Sequence, residues 1–214
     1  MEKSLCRTCP PDLNVIETFR VDAGHIAFWP LHLARLQRTC LKLEIPFDAK
    51  AVQAALAALP KEGVLRGRLT VDLAGRPTLG FADLPATKTV WNVAIAPQML
   101  RSDDPWLSVK TTQRGLYDTF RANLPQGIDE WIFLNEQGRL CEGTITNIFV
   151  GELQNLRTPP CAAGLLPGVL RQSLLEAGHA YEDDLAPSDL RDGFWIGNAL
   201  RGLMPAQLVA VERA

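Results

Sequence analysis

The chain has 214 residues, 47% hydrophobic and 21% charged, with 22 Lys and Arg against 24 Asp and Glu. That length makes one large domain or two small ones, and the composition suits a chain that buries a full core, which excludes disordered and collagen-like classes. A formal charge of -2 lacks the electrostatic footprint of a nucleic-acid or anionic-membrane binder, and no run reaches the ~20 apolar residues of a membrane helix.

Residues 14–22 (NVIETFRVD) mix β-branched, aromatic and polar side chains and predict a strand, with Ala23-Gly24 turning into a second short strand over 25–29. Leu33, Leu36, Leu41 and Leu43 predict a helix over 31–43 that begins near Pro30. A second, Ala-rich helix is expected over 48–59, with Asp48 as N-cap and Pro60 as its stop. Residues 64–73 set Arg66, Arg68 and Thr70 in alternation with Leu65, Leu69 and Val71, which predicts a strand with one polar face. After a turn at Gly75-Arg76-Pro77, residues 90–96 predict another strand. Residues 97–105 show no periodic pattern and are expected to be a linker.

Beyond it, residues 114–123 predict a helix and 130–135 a strand, followed by a turn at Gln137-Gly138. Strands are expected over 145–151, 194–197 and 208–212. A helix is expected over 167–178, with Pro167 near its start and Gly178 at its end. The organisation is therefore α+β: an N-terminal domain over 1–96, a linker over 97–105 and a second domain over 106–214. Five cysteines, an odd count, point to free thiols in a reducing compartment. The N-terminus has no apolar segment of a secretion signal, so a cytoplasmic location is expected. Cys6 and Cys9 form a C-x-x-C without a second pair or a nearby His, and Pro10-Pro11 follows at once, so neither metal nor redox function is expected there.

Five features could carry chemistry. Lys110 follows an apolar run and precedes a helix, and a lysine drawn into a partly buried site becomes a nucleophilic amine. Glu142 precedes Gly143-Thr-Ile-Thr-Asn147, and a carboxylate there could face a cationic ring nitrogen. Gly164 to Arg171 opens a helix whose unpaired N–H groups suit a phosphate. Gly197-Asn198 ends a strand where backbone N–H groups and a side-chain amide could meet an oxyanion. Arg35 lies one turn from His32, so both can face the same side. Taken singly, each has an ordinary reading: a surface lysine, a turn glutamate, a helix start, a β-turn, a solvated arginine.

In this order the features form a pattern. The chain resembles the fold-type IV pyridoxal-phosphate enzymes, which include branched-chain and D-amino-acid transaminases and 4-amino-4-deoxychorismate lyases. The resemblance rests on Glu17-Thr-Phe-Arg20, His32-Leu-Ala-Arg35, Lys110-Thr-Thr, Asn135-Glu-Gln-Gly138, Glu142-Gly-Thr-Ile-Thr-Asn-Ile-Phe149, Thr158-Pro-Pro160, 164–171 and Gly197-Asn-Ala199. It implies a small α+β N-terminal domain and a larger pseudo-barrel domain. It implies that Lys110 forms the aldimine with pyridoxal 5'-phosphate and that Glu142 faces the pyridine nitrogen. Arg35, with the backbone N–H groups of Val169, Leu170, Gly197 and Asn198, would hold the phosphate. Arg20, Arg66, Arg68 and Arg114 are its candidates for the substrate carboxylate. It also implies a homodimer acting on a small-molecule amine. His32-Leu-Ala-Arg-Leu-Gln and Gly197-Asn-Ala-Leu look closer to the lyase branch, with transamination as the alternative. Two departures stand out: Leu170 replaces a usual threonine, and the stretch before Glu17 is short and carries Cys6-Arg-Thr-Cys-Pro-Pro11.

Overall fold

A computed structural model describes residues 9–211. Cys6 lies outside them and Cys9 is half-buried, so the C-x-x-C falls partly beyond the described residues. The chain divides into two compact units. One takes in the described residues up to Ala86 together with Val109–Gln113, the other Thr87–Ser108 and Arg114 onward.

The first unit is a four-stranded sheet with two helices. Strands β1 (Val15–Asp22), β2 (His25–Ile26), β3 (Val64–Val71) and β4 (Pro77–Asp83) pair antiparallel in the order β2-β1-β3-β4. Along β1, Val15, Glu17, Phe19 and Val21 share one buried face, as strand alternation requires. Helix α1 (Trp29–Lys42) buries His32, Arg35, Leu36, Thr39 and Cys40. These recur at helical spacing, but the buried stripe differs from the predicted one. Leu41 is 78% exposed, and two cationic-type residues lie inside. Helix α2 (Ala49–Leu56) starts as expected, with the Asp48 carboxylate accepting from the backbone N–H groups of Lys50 and Ala51 at 2.8 and 3.3 Å. Residues 109–113 return to this unit: the Lys110 carbonyl accepts from Ile16 N–H at 2.9 Å, and Thr112 N–H donates to the Asn14 carbonyl at 2.9 Å.

The second unit is an eight-stranded sheet. Its strands are β5 (Trp91–Ile95), β6 (Glu130–Leu134), β7 (Leu140–Gly143), β8 (Asn147–Glu152), β9 (Asn155–Thr158), β10 (Ala180–Glu182), β11 (Phe194–Asn198) and β12 (Gly202–Leu208), in the order β10-β9-β8-β11-β12-β5-β6-β7. β7 also pairs with β8 through Glu142 and Asn147, which closes six strands into a ring. Closure removes the open edges of β7 and β8. β6 is buried on both faces: Ile132 packs with Val93, Leu140, Ile148 and Ile196, whereas Trp131 and Phe133 pack with Ala94, Leu107 and Leu165. Two helices, α3 (Gly115–Ala122) and α4 (Val169–Glu176), complete the unit.

Three expectations are corrected. The division does not fall at 97–105, because β5 inserts between β6 and β12 of the ring. Nor is 97–105 a linker. Leu100 N–H donates to the Leu134 carbonyl at 2.8 Å, and the Glu136 carboxylate takes the Ser102 N–H and hydroxyl at 2.9 and 2.5 Å. The last strand among the described residues runs over Gly202–Leu208 rather than 208–212, of which Glu212 lies outside the described residues. It accommodates Pro205 because β5 pairs only with residues 206–208, so Pro205 has a ladder partner on one side alone.

Candidate active site

The residues expected to carry chemistry divide by unit. Arg20, Arg35, Arg66, Arg68 and Lys110 belong to the first, and Arg114, Glu142, Val169, Leu170, Gly197 and Asn198 to the second.

In the first unit Arg35 is 5% exposed and Glu17 is fully buried. The Arg35 Nε and one terminal nitrogen donate to the two Glu17 oxygens at 2.8 and 2.6 Å, the fork-to-fork arrangement of a strong pair. His32, one turn before Arg35, places Nδ1 2.6 Å from Glu17 Oε2, so the expected shared face of His32 and Arg35 is present. Burial pushes the Glu17 carboxyl up, but the Arg35 charge and the hydrogen bonds from Arg35 and His32 outweigh it and bring it to about 2. Sequence reasoning assigned Glu17 no role, although a carboxylate alternating with Val15, Phe19 and Val21 on an apolar face demands a buried cation. On the opposite face of β1, Arg20 lies directly across from Arg66 of β3, and Thr18 across from Arg68. Lys110 is half-buried, its backbone fixed to β1 through the Ile16 bond.

In the second unit Glu142 ends β7 and is 6% exposed. Its Oε1 accepts from the Tyr117 hydroxyl at 2.6 Å and its Oε2 from Leu166 N–H at 3.1 Å. Asn147, paired across from it, donates from its side-chain amide to the Leu166 carbonyl at 3.0 Å. Helix α4 starts two residues later with Gly168 as N-cap and no side-chain cap, so its first N–H groups have no intrahelical partners. The fit here is close: a Cβ at Gly168 would lie 2.0 Å from Asn147 Oδ1, and one at Gly197 would lie 2.7 Å from Leu170 Cδ2. Asn147 and Leu170 thus pack on the bare backbone of Gly168 and Gly197, which brings the start of α4 against the end of β11 where a side chain on either glycine would not fit. A carboxylate for a ring nitrogen and a helix N-terminus for a phosphate are the donor set that pyridoxal phosphate needs.

Two of the expected residues have their side chains engaged within the unit. The Asn198 amide nitrogen donates to the Ile145 carbonyl at 3.1 Å, and its oxygen accepts from Leu200 and Arg201 N–H, so the side chain braces turns and only its backbone faces an oxyanion role. Arg114, a candidate for the substrate carboxylate, has partners of its own, as Arg20 does in Asp22 at 3.3 Å. It donates to the Thr144 carbonyl at 2.7 Å and to Asp118 at 2.9 Å, and its guanidinium lies 5.5 Å from the centre of the Tyr117 ring.

Comparison with known proteins agrees with this architecture. Residues 14–209 match the family model described as amino-transferase class IV. An aminodeoxychorismate lyase of Bacillus subtilis is 28% identical over 190 residues, covering 77% of this chain and 64% of that protein. A solved structure from Mesorhizobium loti, provisionally named an amino-acid aminotransferase, superposes with a TM-score of 0.83 at 35% identity, over 92% of this chain and all of that one. The 4-amino-4-deoxychorismate lyase of Pseudomonas aeruginosa shares the fold, with a TM-score of 0.78 at 24% identity over 91% of this chain and 82% of that one. The protein is an enzyme of the fold-type IV, pyridoxal-phosphate-dependent class. Within that class the chain belongs to the class IV aminotransferase family.

Proposed function

We propose that the chain is a 4-amino-4-deoxychorismate lyase, releasing pyruvate and p-aminobenzoate. The observation that carries this reading is the arginine strip on β1 and β3, with Arg20 across from Arg66 and Arg68 two residues along on the same face. A substrate with two carboxylates calls for more than one fixed cation, and guanidinium groups suit carboxylates. β4 sets Ala82 beside Arg66 and Gly80 beside Arg68, small residues that leave the guanidinium groups room. The lyase names of the Bacillus and Pseudomonas relatives support the same reading.

In this reading Lys110 would carry the cofactor at Nζ and Glu142 would pair with the ring nitrogen. The first turn of α4 and the backbone of Gly197 and Asn198 would hold the phosphate, and the Arg35 charge, fixed by Glu17, would complement it. Bound there, pyridoxal phosphate supplies an electron sink next to the substrate's amine-bearing carbon. Lys110 Nζ would remove the proton from that carbon and return it to the departing three-carbon group, as the C–O bond to the ring breaks and the ring becomes aromatic. The substrate then divides into two products without a further reactant. A cytoplasmic homodimer belongs to the same reading, and sedimentation of the holoenzyme should give about twice 23.6 kDa.

The aminotransferase name of the Mesorhizobium relative favours a second reading, transamination, for which we propose branched-chain or D-amino acids as donors and a 2-oxo acid as acceptor. Two assays separate them. The lyase produces pyruvate from 4-amino-4-deoxychorismate; a transaminase produces glutamate from amino acids and 2-oxoglutarate. Arg66→Ala should raise KM for the chorismate derivative about tenfold with kcat nearly unchanged. Pyruvate release absent in the wild type sinks the lyase reading, and an unchanged KM sinks the role of the strip.

A further inference from the structure

Helix α3 is short and amphipathic, and its inward residues are not only apolar. Phe120 packs edge-on against Trp131 and Phe133 of β6, with ring centres 5.8 and 5.2 Å apart, and Tyr117 packs edge-on against Phe133 at 5.4 Å. This fixes the Tyr117 ring so that its hydroxyl reaches Glu142 Oε1 at 2.6 Å. The Arg114 guanidinium covers the ring and ties the start of the helix to the Thr144 carbonyl. One helical turn on, Arg121 donates to the Thr144 hydroxyl at 3.2 Å. Burial and the neighbouring Glu142 charge push the Tyr117 phenol well above its usual range, so it stays protonated and donates.

An ionised carboxylate on a flexible stem has no preferred plane of its own. Glu142 acquires one from two donors, with Tyr117 O–H on one oxygen and Leu166 N–H on the other. Leu166 lies two residues before Gly168, so the same carboxylate also locates the approach to the start of α4. We propose that Tyr117 is a positioning residue that holds the Glu142 carboxylate in the orientation that receives the coenzyme's ring nitrogen. This rests on the reading of Glu142 as the partner of that nitrogen. It predicts that Tyr117 acts through Glu142 and not through packing.

The test is a double-mutant cycle on pyridoxal phosphate binding, read by quenching of tryptophan fluorescence, with the coenzyme's visible absorbance followed across pH. Tyr117→Phe keeps the ring and its contact with Phe133 and removes only the hydroxyl. It should weaken coenzyme binding about tenfold, the scale of one hydrogen bond to a charged group, and move the pH midpoint of the visible band. In a Glu142→Ala background the same change should alter affinity less than twofold and leave the midpoint unmoved. Glu142→Leu serves in its place if the alanine variant does not fold. Equal weakening by Tyr117→Phe in both backgrounds, or none in either, overturns the role of Tyr117 and leaves that of Glu142 standing. Unchanged affinity and spectrum in the Glu142 variants overturn the reading of Glu142, and the proposal with it.

Discussion

Substituting Glu17 by glutamine is the sharpest test of how the first unit is held together. The carboxylate offers two acceptors to three donors: Oε1 faces Arg35 Nε at 2.8 Å, and Oε2 faces an Arg35 terminal nitrogen and His32 Nδ1, both at 2.6 Å. Glutamine keeps the shape but supplies one acceptor and one NH2 group. Either orientation points that NH2 at an Arg35 nitrogen and leaves a buried guanidinium without its counter-charge. The fall of the Glu17 carboxyl from its ordinary 4.5 to about 2 spans about 2.5 pH units. At ~1.4 kcal/mol each that is about 3–4 kcal/mol. Breaking a buried ion pair from one side costs about 3–5 kcal/mol, the same scale. For a chain of this size ~3 kcal/mol lowers Tm by roughly 6–12 °C, measurable by circular dichroism at pH 7. The sign with pH follows from the lowered carboxyl. Its contribution is fully present above 4.5 and is lost as pH falls towards about 2. The gap between wild type and Glu17→Gln should therefore close over that interval. A drop of less than ~2 °C at pH 7, or a gap as wide at pH 3 as at pH 7, would refute the reasoning.

Three further outcomes are expected. Gly168→Ala should weaken pyridoxal phosphate binding about tenfold, or ~1.4 kcal/mol, because its Cβ would lie 2.0 Å from Asn147 Oδ1 and displace the amide that holds the Leu166 carbonyl; fluorescence titration reads it, and wild-type affinity denies the phosphate a seat at the start of α4. Gly67→Ala should cost about 1–3 kcal/mol in thermal unfolding, since the new Cβ meets the fully buried Phe19 ring at 2.3 Å. Lys110→Ala should abolish turnover and the borohydride-stable coenzyme adduct, which mass spectrometry of the wild-type protein should place on the peptide containing Lys110. Turnover by the variant would show that another amine does the work.

Much of the fold is legible because its signals are local. The apolar run of Glu130–Leu134 and the alternation in Val15–Asp22 each describe a strand by themselves. β4 escapes because Thr78, Gly80 and Ala82 give its open face little to alternate with. β12 is obscured by Gly202 and Pro205, whose tolerance depends on where β5 ends, a non-local fact. The boundary between the units is misread for a similar reason: residues 97–105 lack a period, yet long-range bonds to Leu134 and Glu136 order them. In the candidate site the sequence proposes Glu142 and the start of α4 but does not show what surrounds them. The amide of Asn198 and the guanidinium of Arg114 bind backbone carbonyls more than 25 residues away in sequence, and spacing does not reveal such partners. Tyr117 is visible only afterwards, as one of two tyrosines in the chain, set at helical spacing from Phe120 and Arg121.

The place of β12 in the ring bears on the order of events when the chain folds. β5 pairs on one side with β6 and on the other with β12, which arrives about a hundred residues later in synthesis. Until residues 202–208 emerge, β5 and β11 both present an unpaired edge to the cell, and the start of α4 lacks a settled Gly197 to lean on. If α4 and Gly197 hold the coenzyme's phosphate as proposed, that seat is unfinished on a nascent chain. A chain stalled before β12 should therefore be a substrate for chaperones, and coenzyme loading should require residues 202–208.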